Sequence, residues 1–177
     1  LYSGIEQTMS LWASSYLVTV KHIDTITAAR FASLFFIGIT MGRGISGFVT
    51  MKVSDSGMIR IGEGIIGAAI LLMLLPFGKN LTLFAIILIG VGCAPIYPSI
   101  IHSTPAHFGT SRSQAVIGVQ MACAYIGTLS LPPLFGWISA RIGLQILPIY
   151  LVVQLIAMIV LHEILCRKTR HVSEAGT

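Results

Sequence analysis

Apolar residues run along this chain in six blocks, at approximately 1–20, 28–50, 59–78, 81–103, 114–137 and 144–166. Each is about as long as the roughly 20 residues a helix needs to cross the hydrocarbon of a bilayer. The polar positions collect in short connections between the blocks, a spacing that predicts antiparallel neighbours packed as one bundle. The pattern predicts an all-α membrane protein, with residues 1–166 as a six-helix transmembrane bundle and 167–177 as a polar, disordered tail.

Composition agrees with that reading. Apolar residues make up 55% of the 177 positions and charged residues 10%, and mean hydropathy is +0.89, which excludes an ordinary soluble domain. A net charge of +5 raises the question of nucleic acid, but the basic residues stand singly at block ends rather than in a phosphate-binding patch, so no nucleic-acid partner is expected. Cys93, Cys123 and Cys166 have no ligand spacing and read as buried small apolar residues, and no metal or cofactor is expected. The chain opens at Leu1 with no charged flank, which reads as a start inside or just before a helix rather than a signal peptide.

Orientation follows from the stretch Gly42–Gly62, GRGISGFVTMKVSDSGMIRIG. Gly42, Gly44 and Gly47 would let a neighbouring helix approach closely. Arg43, Lys52 and Arg60 bracket a turn of Ser54, Asp55, Ser56 and Gly57, and such clustered basic residues mark a cytoplasmic loop. With that loop inside, Arg43, Lys52, Arg60, Arg112, Arg167, Lys168 and Arg170 fall inside, against Lys21, Arg30, Lys79 and Arg141 outside, so the C-terminus is placed in the cytoplasm.

The same stretch resembles the cytoplasmic signature of the major facilitator superfamily, and within it the fucose-permease-like branch. Arg43 stands four residues before Gly47, Lys52 follows five later, and Ile59-Arg60 closes the pattern. Met51 stands where many members place an acidic residue, so a conformational lock supplied by that acid is altered or supplied elsewhere. The second place of resemblance is GVGCAPIYPSI, Gly90–Ile100, with its Ala-Pro-x-x-Pro run. Pro95 and Pro98 each lack a backbone donor and would free the carbonyls of Val91 and Ala94, a break that a neighbour or a water-filled cavity must satisfy. Pro132 and Pro133 predict a further break in the fifth block.

A repeat supports the resemblance. Gly47-Phe48-Val49-Thr50-Met51-Lys52 and Gly136-Trp137-Ile138-Ser139-Ala140-Arg141 share the order glycine, aromatic, β-branched, hydroxyl, any, basic, at a separation of 89 residues. Three helices lie between equivalent points, which predicts an inverted three-plus-three repeat. The resemblance implies the C-terminal six-helix half of a cell-membrane transporter whose N-terminal six-helix half is missing here. It also implies a sugar or similar small polar solute, carried by alternating access and driven by a proton gradient.

Candidate site residues are few. In the first block Tyr2, Ser3, Glu6, Gln7, Ser10 and Ser14 fall within an arc of about 140° on a helix. Glu6 either faces a cavity, where it would bind substrate or a proton, or reaches headgroups or pairs with another helix. Tyr97 at the helix break either offers its phenol to a substrate hydroxyl or packs, and Gln120 either bridges two helices or lines a cavity. His102 and His107 read as solvated loop residues.

Two other functions compete. Gly44-Ile45-Ser46-Gly47 resembles the serine motif of rhomboid intramembrane proteases, with His162 as the histidine available for a base. A non-transporting membrane receptor on the same fold has no sequence feature that separates it from a transporter.

Overall fold

A computed structural model describes residues 1–75 and 78–175. Among these residues the chain is entirely helical. It comprises α1 (Tyr2–Lys21), α2 (Thr25–Val49), α3 (Asp55–Leu74), α4 (Lys79–Cys93), α5 (Ile96–Phe108), α6 (Thr110–Ile142) and α7 (Leu147–Ala175), with one 3-10 turn at Leu144–Ile146. The sequence places α4 and α5 in one membrane crossing, Asn80–Ala106, so the six predicted blocks correspond to six helical segments. Five of them are long and apolar enough to cross a membrane, and α1 is the exception. Its polar positions lower its hydropathy: α1 packs against α6, α2 and α7, while Glu6, Gln7, Ser10 and Ser14 stay only half-buried. Ile5, Met9, Ala13, Tyr16 and Leu17, at the three- and four-residue spacing of a helix face, are all buried.

Local chemistry sets the helix ends. His22 takes the left-handed conformation (φ 51°), and Ile23 N–H then donates to the Leu17 carbonyl at 3.2 Å, which closes α1. Asp24 caps α2, its Oδ2 accepting from the Thr27 N–H at 2.9 Å. Ser54 caps α3 through its hydroxyl, which accepts from the Gly57 N–H at 3.3 Å, so the predicted four-residue turn is in fact a cap and a first helical turn. Pro95 ends α4, whereas Pro98 falls in the first turn of α5, where a missing N–H costs no intrahelical bond. α7 continues as helix through Ala175, into the segment whose polarity predicts disorder.

α4 lies between α2 and α3, and glycine makes both contacts possible. A Cβ on Gly90 would come within 2.3 Å of the Phe35 carbonyl oxygen of α2, and one on Gly62 of α3 within 2.6 Å of the Gly92 carbonyl oxygen. Close backbone approach of this kind is how apolar helices associate where no hydrophobic drive separates them from lipid. Of the three glycines predicted to serve such packing, only Gly42 does, against Val91 and Ala94, while Gly44 and Gly47 face open space. α6 also departs from expectation, running unbroken through Pro132 and Pro133. The prolines free the carbonyls of Thr128 and Leu129. Two neighbouring side chains anchor the helix just beyond these, Trp12 Nε1 donating to the Pro132 carbonyl at 3.2 Å and the Tyr150 hydroxyl to the Leu131 carbonyl at 2.8 Å.

Candidate solute-binding site

The break between α4 and α5 divides two clefts. On one side a cavity of about 540 Å³ opens between α3, α5, α6, α7 and the start of α1. Its wall is largely apolar, with Ile59, Ile96, Ile100, Val116 and Met158 among the lining residues, and a small set of polar groups interrupts it. That combination, at this size, suits a small organic solute. On the other side Pro95 and Pro98 line a second cleft of about 400 Å³ together with Arg43, Gly47, Asp55 and His102.

The sequence candidates divide between these places. Tyr97 lines the larger cavity, with its ring stacked on Tyr2 (centroids 6.3 Å apart) and its hydroxyl 2.9 Å from Met121 Sδ. Gln120 combines the two roles weighed for it, because it lines the cavity and bridges α6 to α5. Its Nε2 donates to Thr104 Oγ1 at 3.0 Å, and the Thr104 hydroxyl lies 3.1 Å from Gln120 Oε1. Glu6 is absent from the lining, and its carboxylate accepts a hydrogen bond from the Tyr2 hydroxyl one helical turn away. Tyr2 itself lines the cavity, so Glu6 sits one residue behind the wall, and Gln7 is not brought to it. Arg43 and Gly47 meet Pro95 and Pro98 in the second cleft, while Lys52 is exposed away from it.

Arg60 belongs to a separate arrangement at the same end of the bundle. Three side chains of α3 each meet an oppositely charged or titratable partner on another helix. Asp55 Oδ2 lies 2.8 Å from His102 Nδ1 of α5, and Arg60 Nη2 lies 2.8 Å from Glu163 Oε1 of α7. Glu63 Oε2 lies 3.5 Å from His162 Nδ1, also of α7. The first two pairs are largely exposed, but the Glu63 and His162 side chains are only 5% and 9% exposed, and both line the larger cavity. His102 is therefore a helical residue with an acidic partner rather than a free loop histidine. Position 107 is helical as well.

Sequence reasoning passed over Glu63 and weighed His162 only as the base of a protease site. The signal was available, since each is a titratable group inside a predicted membrane span, the criterion applied to Glu6 alone. Ser46 and His162 do not form a nucleophile–base pair: the Ser46 hydroxyl donates to the Arg43 carbonyl of its own helix at 2.9 Å and lines the second cleft, while His162 lines the first. Of the cysteines only Cys93 is buried, with Cys166 half-buried and Cys123 exposed, so the expectation of three buried thiols is corrected.

Comparison with known proteins places this architecture. The family model of the Major Facilitator Superfamily matches residues 2–176. A curated yeast protein, Bypass of stop codon protein 6 of Saccharomyces cerevisiae, is 24% identical over 168 residues, which cover 84% of this chain and 32% of that protein. The chain thus spans about a third of the length of this relative. No solved structure matches the chain. With a match over nearly its full length and five helices able to cross a membrane, the chain is a multi-pass membrane protein that belongs to the Major Facilitator Superfamily.

Proposed function

We propose that this chain forms the C-terminal six-helix half of a secondary active transporter that carries a small polar solute of the sugar class. Carriage proceeds by alternating access, with a proton gradient as the driving force. The observation that supports this reading most is the broken helix. Its two halves, α4 and α5, meet between the two clefts, with Tyr97 on one side and Pro95 and Pro98 on the other. Discontinuous helices at a bundle midplane build solute sites in transporters, and a hinge touching both clefts can change them together.

The helix pairing supports an inverted three-plus-three repeat. Exchanging the first three segments with the last three turns the α1–α6 contact into the contact of α4 with α2, and both pairs pack. The excess of basic residues at the end carrying the α2–α3 connection supports a cytoplasmic location for that end and for the C-terminus, in the cell membrane. The pattern at Arg43, Gly47, Lys52 and Arg60 supports the fucose-permease-like branch. In this reading Tyr97 and Gln120 contact solute, Glu6 takes part in coupling through Tyr2, and Arg43 with Gly47 forms part of the moving cytoplasmic contact. The test is accumulation of labelled monosaccharides by proteoliposomes under an inward proton gradient. Glu6→Gln should impair gradient-driven accumulation while leaving insertion intact, and accumulation unchanged across pH would remove Glu6 from the mechanism.

A further inference from the structure

Two residues that line the larger cavity, Glu63 and His162, carry buried polar atoms that no protein group satisfies. Glu63 Oε2 and His162 Nδ1 face each other at 3.5 Å, but Glu63 Oε1 and His162 Nε2 have no hydrogen-bond partner. Leaving such atoms unpaired is costly, so a built site of this kind implies something that completes it. The pair presents the same face in either net-neutral proton arrangement. With the proton on His162, Nδ1–H donates to Oε2, leaving Oε1 as acceptor and Nε2–H as donor. With the proton on Glu63, Oε2–H donates to Nδ1, again leaving a carbonyl-type Oε1 and an Nε2–H. A neutral hydroxyl admitted from the cavity can donate to the acceptor and accept from the donor at once. An isolated cation or anion would satisfy only one of the two atoms.

We propose that Glu63 and His162 form a recognition site for a neutral, hydroxyl-bearing solute, held by Glu63 Oε1 and His162 Nε2 in the cavity between α3 and α7. The site rests on the reading of this chain as a solute carrier and places solute recognition on α3 and α7, away from Glu6. Neighbouring charges do not compete for these atoms, since Arg60 and Glu163 pair with each other at 2.8 Å.

Cys166 and Cys123 line the same cavity and report its occupancy. The full chain, purified in detergent, is labelled with a maleimide in the presence of glycerol, erythritol or mannitol, and modification of the two thiols is followed by mass spectrometry. At least one of these polyols should slow labelling in the wild type. Glu63→Met, which removes the acceptor, and His162→Phe, which removes the donor, should each raise the protecting concentration about tenfold, the loss expected for a hydrogen bond to a charged or strongly polarised group. Glu63→Gln, which keeps a carbonyl acceptor, should retain most of the protection. His162→Gln, which keeps an N–H donor, should recover part of the protection, and Glu163→Gln should match the wild type. No protection of the wild type by any of the three polyols, or wild-type protection in Glu63→Met and His162→Phe, overturns the proposal. Flux through proteoliposomes separates it from the transport reading: wild-type flux in Glu63→Met removes the site and leaves transport standing. Polyol protection without flux leaves the site standing and removes transport.

Discussion

Gly90 and Phe35 are so close that a Cβ on Gly90 would lie 2.3 Å from the Phe35 carbonyl oxygen. The obstacle is backbone, so no rotamer change relieves it, and the α2–α4 contact itself must open. Gly90→Ala should therefore destabilise the protein in detergent by about 1–3 kcal/mol, the range for overpacking a close contact. Gly44→Ala, on the same bundle but with nothing within 4 Å, should be neutral or stabilising by up to ~1 kcal/mol through helix propensity. Thermal unfolding of the two variants measures the difference, and equal effects would contradict the packing described here.

The Arg60–Glu163 pair is short but 58% and 39% exposed, so solvent screens it. A double-mutant cycle with Arg60→Ala and Glu163→Ala should return a coupling of no more than about 1 kcal/mol, falling further in high salt. A larger, salt-insensitive coupling would show that the contact lies in a drier environment than its exposure indicates.

Asp24 offers a pH test outside the membrane-spanning helices. The Thr27 N–H holds its carboxyl below the usual carboxylate range. A depressed folded pKa contributes stability above the unfolded value of about 3.9, and that contribution is lost as pH falls through the folded value. Asp24→Asn keeps a capping oxygen without a titrating group, so this part of the acid sensitivity should vanish. Unfolding followed between neutral pH and strong acid should show a shallower decline in the variant.

The helix break predicts a hierarchy of proline effects. Pro98 occupies the first turn of α5, so Pro98→Ala alone should change little, and Pro95→Ala should leave Pro98 still preventing one continuous helix. The double variant supplies both donors and should slow amide hydrogen exchange across residues 91–99 while reducing solute flux. Full flux in a double variant whose exchange has slowed would remove the hinge from the mechanism.

The helical blocks were legible because membrane spans announce themselves by length and apolarity, and the α2–α3 and α4–α5 features by glycine, proline and charge. What periodicity does not reveal is which faces meet. Gly42 and Gly44 look alike in sequence, yet only Gly42 faces a neighbouring backbone. Pro132 and Pro133 look like a break, yet α6 runs through them, and the bonds that Trp12 and Tyr150, distant in sequence, make to its backbone are invisible to periodicity. Glu63 and His162 are separated by 99 positions, and only the packing of α3 on α7 brings them together.

The central claim, that this chain is one half of a solute carrier, is tested most directly by flux. Residues 1–177 alone, and the same residues joined to a six-helix partner half, would be reconstituted in liposomes and assayed for uptake of labelled monosaccharides under an inward proton gradient. The account predicts gradient-dependent uptake only when both halves are present, because the polar face of α1 and the cavity wall need an opposing bundle to enclose them from lipid. Uptake by residues 1–177 alone at the rate of the joined protein, or no uptake by either, would contradict it.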